Sequence, residues 1–316
     1  MATTARVTAR DTSQALVRFT WLVLAFMVLV VLEGAVVRAT SSGGGCGNRW
    51  PLCNGDFFPH HPRLATVIEY THRSLTGICT TLVIVLTGWT FYATKPGHKA
   101  RRAVVASCFF LLTEALLGAV LVLRGYVENN ISVGRVVMQS IHFTNTMLLL
   151  GALSLTVWFL MQRKSESTAE PGGAKGLVWL SVIATILMGA TGSLAALADT
   201  LFPSPSLMAG LAEDFAANAP LLVRMRWVHP AAAAIGFVCV TLLALKVHTR
   251  LSRGVFWLLM MQIVLGVADV LLLAPVWMQV IHLLGADLYW LALVSLAASV
   301  AWPRMDRLSD RPSHPA

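Results

Sequence analysis

The chain carries one short motif twice, as Met138-Gln139-Ser140-Ile141-His142 and again as Met278-Gln279-Val280-Ile281-His282. The two copies differ at one position, and each lies inside a long run of apolar residues. The apolar runs before them also match, because each has a polar side chain four residues before a glycine: Glu114 before Gly118, and Gln262 before Gly266. Repetition of this kind indicates that the second half of the chain is built like the first.

The alignment extends to the remaining apolar runs of each half. Gly34 precedes His72 by 38 residues and Gly189 precedes His229 by 40, which aligns the first and second runs with the fifth and sixth. Four runs in each half give both halves the same orientation. The pseudo-twofold axis is therefore expected along the membrane normal.

Eight apolar runs are long enough to cross about 30 Å of hydrocarbon. They cover 18–38, 66–93, 103–123, 135–161, 175–198, 223–247, 254–274 and 277–302. Of the 316 residues, 56% are hydrophobic and 12% are charged, which excludes a soluble globular protein. The predicted fold is an all-α polytopic membrane protein, with eight transmembrane helices arranged as two pseudo-twofold-related four-helix bundles.

A hydrophilic segment separates the two halves. We expect an N-terminal half at 1–162, a cytoplasmic linker at 163–175 and a C-terminal half at 176–316. The first apolar run resembles a signal peptide, but it continues without a convincing cleavage site. We therefore interpret it as a retained helix.

Basic residues predict the orientation in the cell membrane. Sixteen of the 24 Lys and Arg residues fall in the termini and in the loops on the same side, and seven fall on the other side. Because cytoplasmic loops are enriched in Lys and Arg, both termini are expected in the cytoplasm. The net charge of +9 comes from short clusters between apolar runs, where basic side chains meet membrane lipid headgroups, and it does not indicate a nucleic-acid partner.

Four of the nine histidines lie inside apolar runs: His72, His142, His229 and His282. A charged group at the centre of a membrane helix costs about 2.5–3.5 kcal/mol, so these four need a function. All four are near the start of even-numbered runs, at one depth close to the outer face. Neutral imidazole is an axial ligand of haem iron, and facing helices of a bundle can hold a haem between two histidines. The pattern favours two haems over the alternative, which is hydrogen bonding between neighbouring helices.

The order of motifs resembles the heme A synthase family of bacteria and mitochondria, over nearly the whole chain. The resemblance rests on the single histidines of the fourth, sixth and eighth runs and on three segments: Gly34-Ala35-Val36-Val37-Arg38-Ala39-Thr40, Cys46-Gly47-Asn48-Arg49-Trp50-Pro51-Leu52-Cys53-Asn54-Gly55 and Glu69-Tyr70-Thr71-His72-Arg73. It implies that the C8 methyl of heme O is oxidised to a formyl group by successive hydroxylations, giving heme A. It also implies a permanent heme b in one half and the substrate haem in the other.

The residue three positions before the first histidine distinguishes the two halves. It is Glu69 in the N-terminal half, on the same helix face as His72, and Arg226 in the C-terminal half. A carboxylate beside a reacting haem can take up protons or stabilise developing positive charge, so we predict that Glu69 is catalytic. A purely structural ion pair between Glu69 and Arg73, one turn away, is the alternative.

The haem ligands follow from this assignment. We expect the iron of the substrate haem to be bound by His72 and His142, and the iron of heme b by His229 and His282. Arginines near these positions are candidate partners of the haem propionates: Arg38, Arg73 and Arg226. For Arg38 and Arg73 the alternative is snorkelling to the membrane interface.

Cys46 and Cys53 lie in the first outer loop, in a compartment where disulfides persist. A disulfide is favoured over two free thiols, and a metal site is the weaker alternative because His60 and His61 do not have a recognisable ligand spacing. The loop 199–222 contains no cysteine. This departs from a branch of the family that has a second cysteine pair there, so a thiol relay between the loops is doubtful for this chain.

Partners and competing functions stay open at this point. The resemblance implies heme O as substrate and a heme O synthase as functional partner, and it leaves the electron acceptor and the source of oxygen unknown. A diheme b-type cytochrome that oxidises quinol would share the four histidines, and a haem-free transporter would share the duplicated halves. Four acids within or beside the runs receive no catalytic role: Glu33, Glu114, Asp269 and Asp287.

Overall fold

The structure, a computed structural model, describes residues 2–161 and 174–302, with side chains from Gln14 onward. These residues form ten helices: α1 (Ala2–Ala39), α2 (Leu64–Ala93), α3 (Lys99–Leu123), α4 (Val133–Met161), α5 (Ala174–Leu201), α6 (Leu207–Asp214), α7 (Leu221–Arg224), α8 (Val228–Lys246), α9 (Arg250–Leu271) and α10 (Val276–Ala301). The predicted linker at 163–175 lies almost entirely outside the described residues.

Eight spans in the described part of the chain are long and apolar enough to cross a membrane, which confirms the predicted fold class. Seven are single helices, the first running from Gln14 to Ala39, and the sixth joins α7 to α8 as Leu221–Lys246. Apolar side chains such as Ile84 and Val264 are exposed on the outward faces. A continuous apolar surface of this kind fits solvation by lipid.

The end of the seventh span and the loop after the fifth span differ from the prediction. The seventh span ends at Leu271 rather than at 274, because Leu273 and Ala274 have positive φ angles of 61° and 50° and Pro275 cannot continue a helix. The loop after the fifth span contains α6, a helix too short to appear as an apolar run. Its first turn is capped by the side chain of Ser206, which satisfies a backbone amide that would otherwise have no partner.

Each half forms a four-helix bundle. In the N-terminal bundle α1 packs against α2 and α4, and α3 packs between α2 and α4. The C-terminal bundle repeats this arrangement with α5, α8, α9 and α10 in the corresponding places. The bundles meet through α1, α4, α5 and α10, and the contact of α4 with α5 is repeated by α10 with α1. Reciprocal contacts of this kind are those of a twofold interface.

The interface between the bundles is closely packed around Trp290. Its indole N–H donates to the Met147 carbonyl at 2.8 Å, and a Cβ added to Gly151 would stand 3.5 Å from the indole ring. Within the C-terminal bundle, the hydroxyls of Thr185 and Tyr289 lie 2.9 Å apart. Because the buried indole N–H finds its acceptor on the other bundle, the Trp290 contact favours one relative placement of the bundles over others.

Candidate functional site

The four predicted histidines lie at one end of the two bundles, which we call the histidine end. Each occurs within about the first ten residues of its span: His72 in α2, His142 in α4, His229 in α8 and His282 in α10. Since α2 and α4 belong to one bundle and α8 and α10 to the other, the fold places one pair of histidines in each bundle.

A glycine on the preceding membrane span faces each histidine ring. A Cβ added at Gly34 would stand 2.9 Å from His72 Cε1, and one at Gly192 would stand 2.9 Å from His229 Cε1. The matching distances are 3.8 Å between Gly118 and His142, and 3.2 Å between Gly266 and His282. At Gly34 and Gly192 the imidazole lies so close to the helix backbone that any larger residue would have to displace the ring.

The predicted equivalence of Gly34 and Gly189 is wrong. Gly189 faces Met147 and Phe143 of α4, and it is Gly192 that contacts His229. The prediction compared distances along the chain, which include loops of different length. Contact between a ring and a backbone depends instead on how the two helices pack.

In the N-terminal bundle both histidines face a carboxylate. His72 Nδ1 lies 2.7 Å from Glu33 Oε2, and His142 Nδ1 lies 3.3 Å from Glu114 Oε1. In both cases the carboxylate stands away from the ideal N–H direction of the ring. Glu114 also accepts hydrogen bonds from the side-chain amide of Asn145, at 2.6 Å, and from the Thr146 hydroxyl. Three side chains of α4 therefore surround this carboxylate.

Among the described residues of the C-terminal bundle, no carboxylate lies against the same ring nitrogens. His229 Nδ1 lies 3.0 Å from the Met188 carbonyl oxygen. His282 Nδ1 is buried without a hydrogen-bond partner among the described residues. The two ring centroids are 6.5 Å apart. Two metal–imidazole bonds of about 2 Å each, together with the ring radii, span about 6 Å, which is close to the separation of these two rings.

Glu69 is buried, with 3% of its surface exposed. One carboxylate oxygen accepts the Cys46 N–H at 2.8 Å, and the other accepts from Arg73 Nε at 3.1 Å. Arg73 in turn donates to the carbonyls of Arg49 and Leu52, at 2.7 and 2.9 Å. The ion pair expected as the structural alternative for Glu69 is therefore present, and it joins α2 to the first loop.

Cys46 and Cys53 form a disulfide, as predicted. Both residues are buried, and the loop that they close lies directly on α2. The Thr66 hydroxyl donates to the Gly45 carbonyl at 2.8 Å, and a Cβ at Gly45 would stand 2.4 Å from the backbone of Ala65. The disulfide thus holds the segment whose amide binds Glu69.

The other two candidate propionate partners also have protein partners. Arg38 donates through Nη1 to a carbonyl of α5 at 2.6 Å and through Nη2 to Gln279 Oε1 at 2.7 Å, which connects α1 with both interface helices of the other bundle. Arg226 pairs with Asp199 at 2.9 Å and with Asp214 at 3.4 Å. Burial raises the pKa of the Asp214 carboxyl, and Arg226 opposes that shift. Propionate binding by these arginines stays a prediction.

Sequence reasoning did not connect the carboxylates with the histidines. Glu33 and Glu114 were recognised as acids inside apolar runs, without an assigned partner. The available signal was their position, because Glu33 adjoins Gly34 and Glu114 lies one helical turn before Gly118. If a glycine contacts a histidine ring, the residues beside that glycine lie near the ring as well. Which glycine makes this contact is known only from the packing of the helices.

Comparison with known proteins gives matches over most of the chain. The family model COX15-CtaA, described as cytochrome oxidase assembly protein, matches residues 17–294. A protoheme IX farnesyltransferase of Thermus thermophilus is 39% identical over 289 residues, which are 89% of this chain and 48% of that protein. The heme A synthase of Exiguobacterium sibiricum is 30% identical over 169 residues, 53% of this chain and 54% of that protein.

A second protein named heme A synthase, from Lysinibacillus sphaericus, is 34% identical over 164 residues, which are 51% of this chain and 50% of that protein. The chain therefore spans about half the length of the curated relatives that it matches.

Proposed function

Because the chain belongs to the heme A synthase family, the COX15-CtaA group of cytochrome oxidase assembly proteins, we propose that it is an oxidoreductase that converts heme O to heme A. In this reaction successive hydroxylations replace two C–H bonds of the C8 methyl with C–O bonds, and an external oxidant takes up the four electrons. The resulting geminal diol loses water and leaves a formyl group. One observation carries the proposal: two histidine pairs lie at the same end of two related bundles, and in the part of the chain that the structure describes carboxylates flank only the first pair.

We assign the substrate haem to the N-terminal bundle. There His72 and His142 would bind the iron through Nε2, since Nδ1 of each ring faces a carboxylate of the neighbouring helix. Glu69 lies one turn before His72 and is fixed by the Cys46 amide and by Arg73. A carboxylate held in this way is placed to take up protons that the methyl group releases.

We assign heme b to the C-terminal bundle, with His229 and His282 as ligands of its iron. A bound heme b supplies one-electron chemistry. The protein's part is to orient the ligands: the Met188 carbonyl fixes Nδ1 of His229 and leaves Nε2 available, while Gly192 and Gly266 admit the two rings against the helix backbones. The division into a catalytic half at 1–162 and an electron-transfer half at 176–316 follows from this assignment.

The substrate is expected from a neighbouring enzyme in the membrane. The Thermus thermophilus relative is named for farnesyl transfer to protoheme IX, and about half of that protein lies outside the match with this chain. Farnesylation of protoheme IX is the reaction that yields heme O, so an enzyme of this kind is the proposed partner. The bias of basic residues supports a protein in the cell membrane with both termini in the cytoplasm.

The test is to co-express the protein with a protoheme IX farnesyltransferase, purify it and identify its extracted haems by chromatography with mass detection. Heme b together with heme A or hydroxylated heme O is the expected result. Heme b alone, with heme O present in the same membranes, would instead identify a diheme electron-transfer cytochrome. A colourless protein would overturn both readings and favour the transporter.

The role of Glu69 is tested in the same strain. Glu69→Gln keeps an acceptor for the Cys46 amide but cannot accept a proton, so heme A is expected to fall at least about 100-fold, the usual scale of acid–base catalysis, while heme b stays. Arg73→Gln is the matched control, because it breaks the ion pair and leaves the carboxylate. Equal losses in both variants would show that the ion pair, and not proton transfer, is what the reaction needs.

A further inference from the structure

The two bundles differ in what their histidines face. In the N-terminal bundle an anionic oxygen stands near Nδ1 of each histidine, contributed by Glu33 for His72 and by Glu114 for His142. The position of Glu33, directly before the glycine that admits the ring, is occupied by Thr191 in the C-terminal bundle. Thr191 directs its hydroxyl to carbonyls of its own helix, so it does not replace the carboxylate.

Glu114 belongs to a group of side chains that has no counterpart in the C-terminal bundle. Its partners Asn145 and Thr146 come three and four residues after His142, whereas the same positions after His282 are Gly285 and Ala286. Gln262 takes the place of Glu114, and its side-chain amide lies over Gly285 without a hydrogen-bond partner among the described residues. The N-terminal bundle thus has both the acid and the two donors that orient it.

A carboxylate near Nδ1 changes how a histidine serves as a metal ligand. The negative charge of a carboxylate beside the ligand ring makes the ring more basic, and this charge acts on the iron with little screening because the interior of the bundle has a low dielectric constant. A more basic ligand stabilises the oxidised, more positive iron. A backbone carbonyl such as that of Met188 has a weaker effect of the same sign.

We infer that Glu33 and Glu114 are positioning residues that lower the reduction potential of the haem bound by His72 and His142 below that of the haem bound by His229 and His282. The inference rests on the proposed function, because it takes both histidine pairs as haem ligands. Its consequence is that, at equilibrium between the two sites, an added electron resides on the C-terminal haem and the N-terminal haem stays oxidised.

The experiment is a potentiometric titration of the protein purified after co-expression with a protoheme IX farnesyltransferase. The wave that disappears in His72→Ala belongs to the N-terminal haem. In Glu114→Gln, and in Glu33→Gln, the midpoint potential of this wave is expected to rise by about 59 mV. For a one-electron couple this corresponds to a tenfold change in the ferric-to-ferrous equilibrium. The other wave should not move.

A variant in the C-terminal bundle tests the inference even if the substitutions of Glu33 and Glu114 damage the N-terminal bundle. Gln262→Glu places a carboxylate near His282, and it is expected to lower the potential of the C-terminal haem while leaving the N-terminal wave in place. Ferric low-spin electron paramagnetic resonance spectra should change only for the haem whose ligand neighbour was altered. Unmoved potentials in all three variants, with both haems present, would overturn the inference and leave the proposed function standing. Absence of the N-terminal haem from the wild type would remove both.

Discussion

The N-terminal and C-terminal bundles share a scaffold and differ in its charged groups. Each holds two histidines at the same end, and each admits the rings through glycines on the preceding helices. Three residues before the first histidine, however, Glu69 binds the disulfide loop in one bundle, whereas Arg226 pairs with Asp199 of α5 and Asp214 of α6 in the other. Under the proposed function, the shared features would hold a haem in each bundle. The differing features would then determine which of the two haems reacts.

The largest expected effects concern whether each histidine pair binds its own haem independently of the other pair. We expect His229→Ala to lose heme b entirely, because an axial ligand of that bundle is gone. His72→Ala is expected to keep heme b but to form no heme A. Haem content measured by pyridine haemochrome spectra on purified variants checks both. Loss of both haems in His72→Ala would show that the two bundles form a single site.

The glycines test whether both bundles use the same close packing. Gly34→Ala places a Cβ 2.9 Å from the His72 ring and Gly192→Ala does the same at His229, so each is expected to weaken haem retention in its own bundle at least about tenfold. Gly88→Ala is the matched control, since a Cβ there has nothing within 4 Å and alanine favours a helix by up to about 1 kcal/mol. Retention is measured by transfer of haem to apomyoglobin. An equal change in the control would refute the packing argument.

A smaller effect is expected from the disulfide, which lies in the N-terminal half. Changing both Cys46 and Cys53 to serine removes a short loop closure worth about 2 kcal/mol and is expected to raise amide hydrogen exchange in the first loop, lowering heme A several-fold. Heme b should be unaffected, because the loop lies on α2 of the N-terminal bundle. Cys108→Ala, at a free thiol, is the control. If heme b were lost instead, the loop would be supporting the whole molecule.

The smallest difference concerns the first turns of equivalent helices. The helix α9 is capped by Thr249 and Ser252, whereas α3 is capped by His98, whose Nδ1 accepts the Ala100 amide at 3.2 Å. Burial lowers the pKa of His98, and Arg101 lowers it further. Protonation thus favours the unfolded chain, so stability is complete above about pH 6.5 and declines as the pH falls towards the lowered pKa.

The size of this effect is expected to stay below about 1 kcal/mol, the scale of one helix cap. Thermal unfolding in detergent at pH 7.5 and pH 5.0 measures it, with His98→Asn as the comparison because asparagine caps without titrating. If another group causes the pH dependence, the wild type and His98→Asn should lose the same stability between pH 7.5 and pH 5.0.

Most of the fold could be predicted because few backbone structures can cross the hydrocarbon of a membrane. Twenty-odd apolar residues between basic loops specify a span, and the repeated motif at His142 and His282 specifies the pairing of halves. The end of α9 was missed, since left-handed residues at Leu273 and Ala274 stop it within an unbroken apolar run. Apolarity identifies what is buried in lipid, but it does not show where a backbone turns.

The site could be predicted less fully. The four histidines, the disulfide and the Glu69–Arg73 pair are visible in sequence because each depends on spacing within one helix or one loop. The carboxylates near His72 and His142 come from other helices, so their position depends on how α1 meets α2 and how α3 meets α4. Contacts of that kind depend on packing between helices, which one sequence does not display.

The interface between the bundles has a consequence for how such a molecule can change over generations. Its reciprocal contacts, α4 with α5 and α10 with α1, are those of a symmetric homodimer. In a homodimer one gene would specify both pockets, and every substitution would appear twice. Two copies in a single chain remove that restriction, so an acid can be acquired at 114 while 262 remains an amide. Joining the copies also fixes their ratio at one to one, so the two histidine pairs always occur in the same molecule.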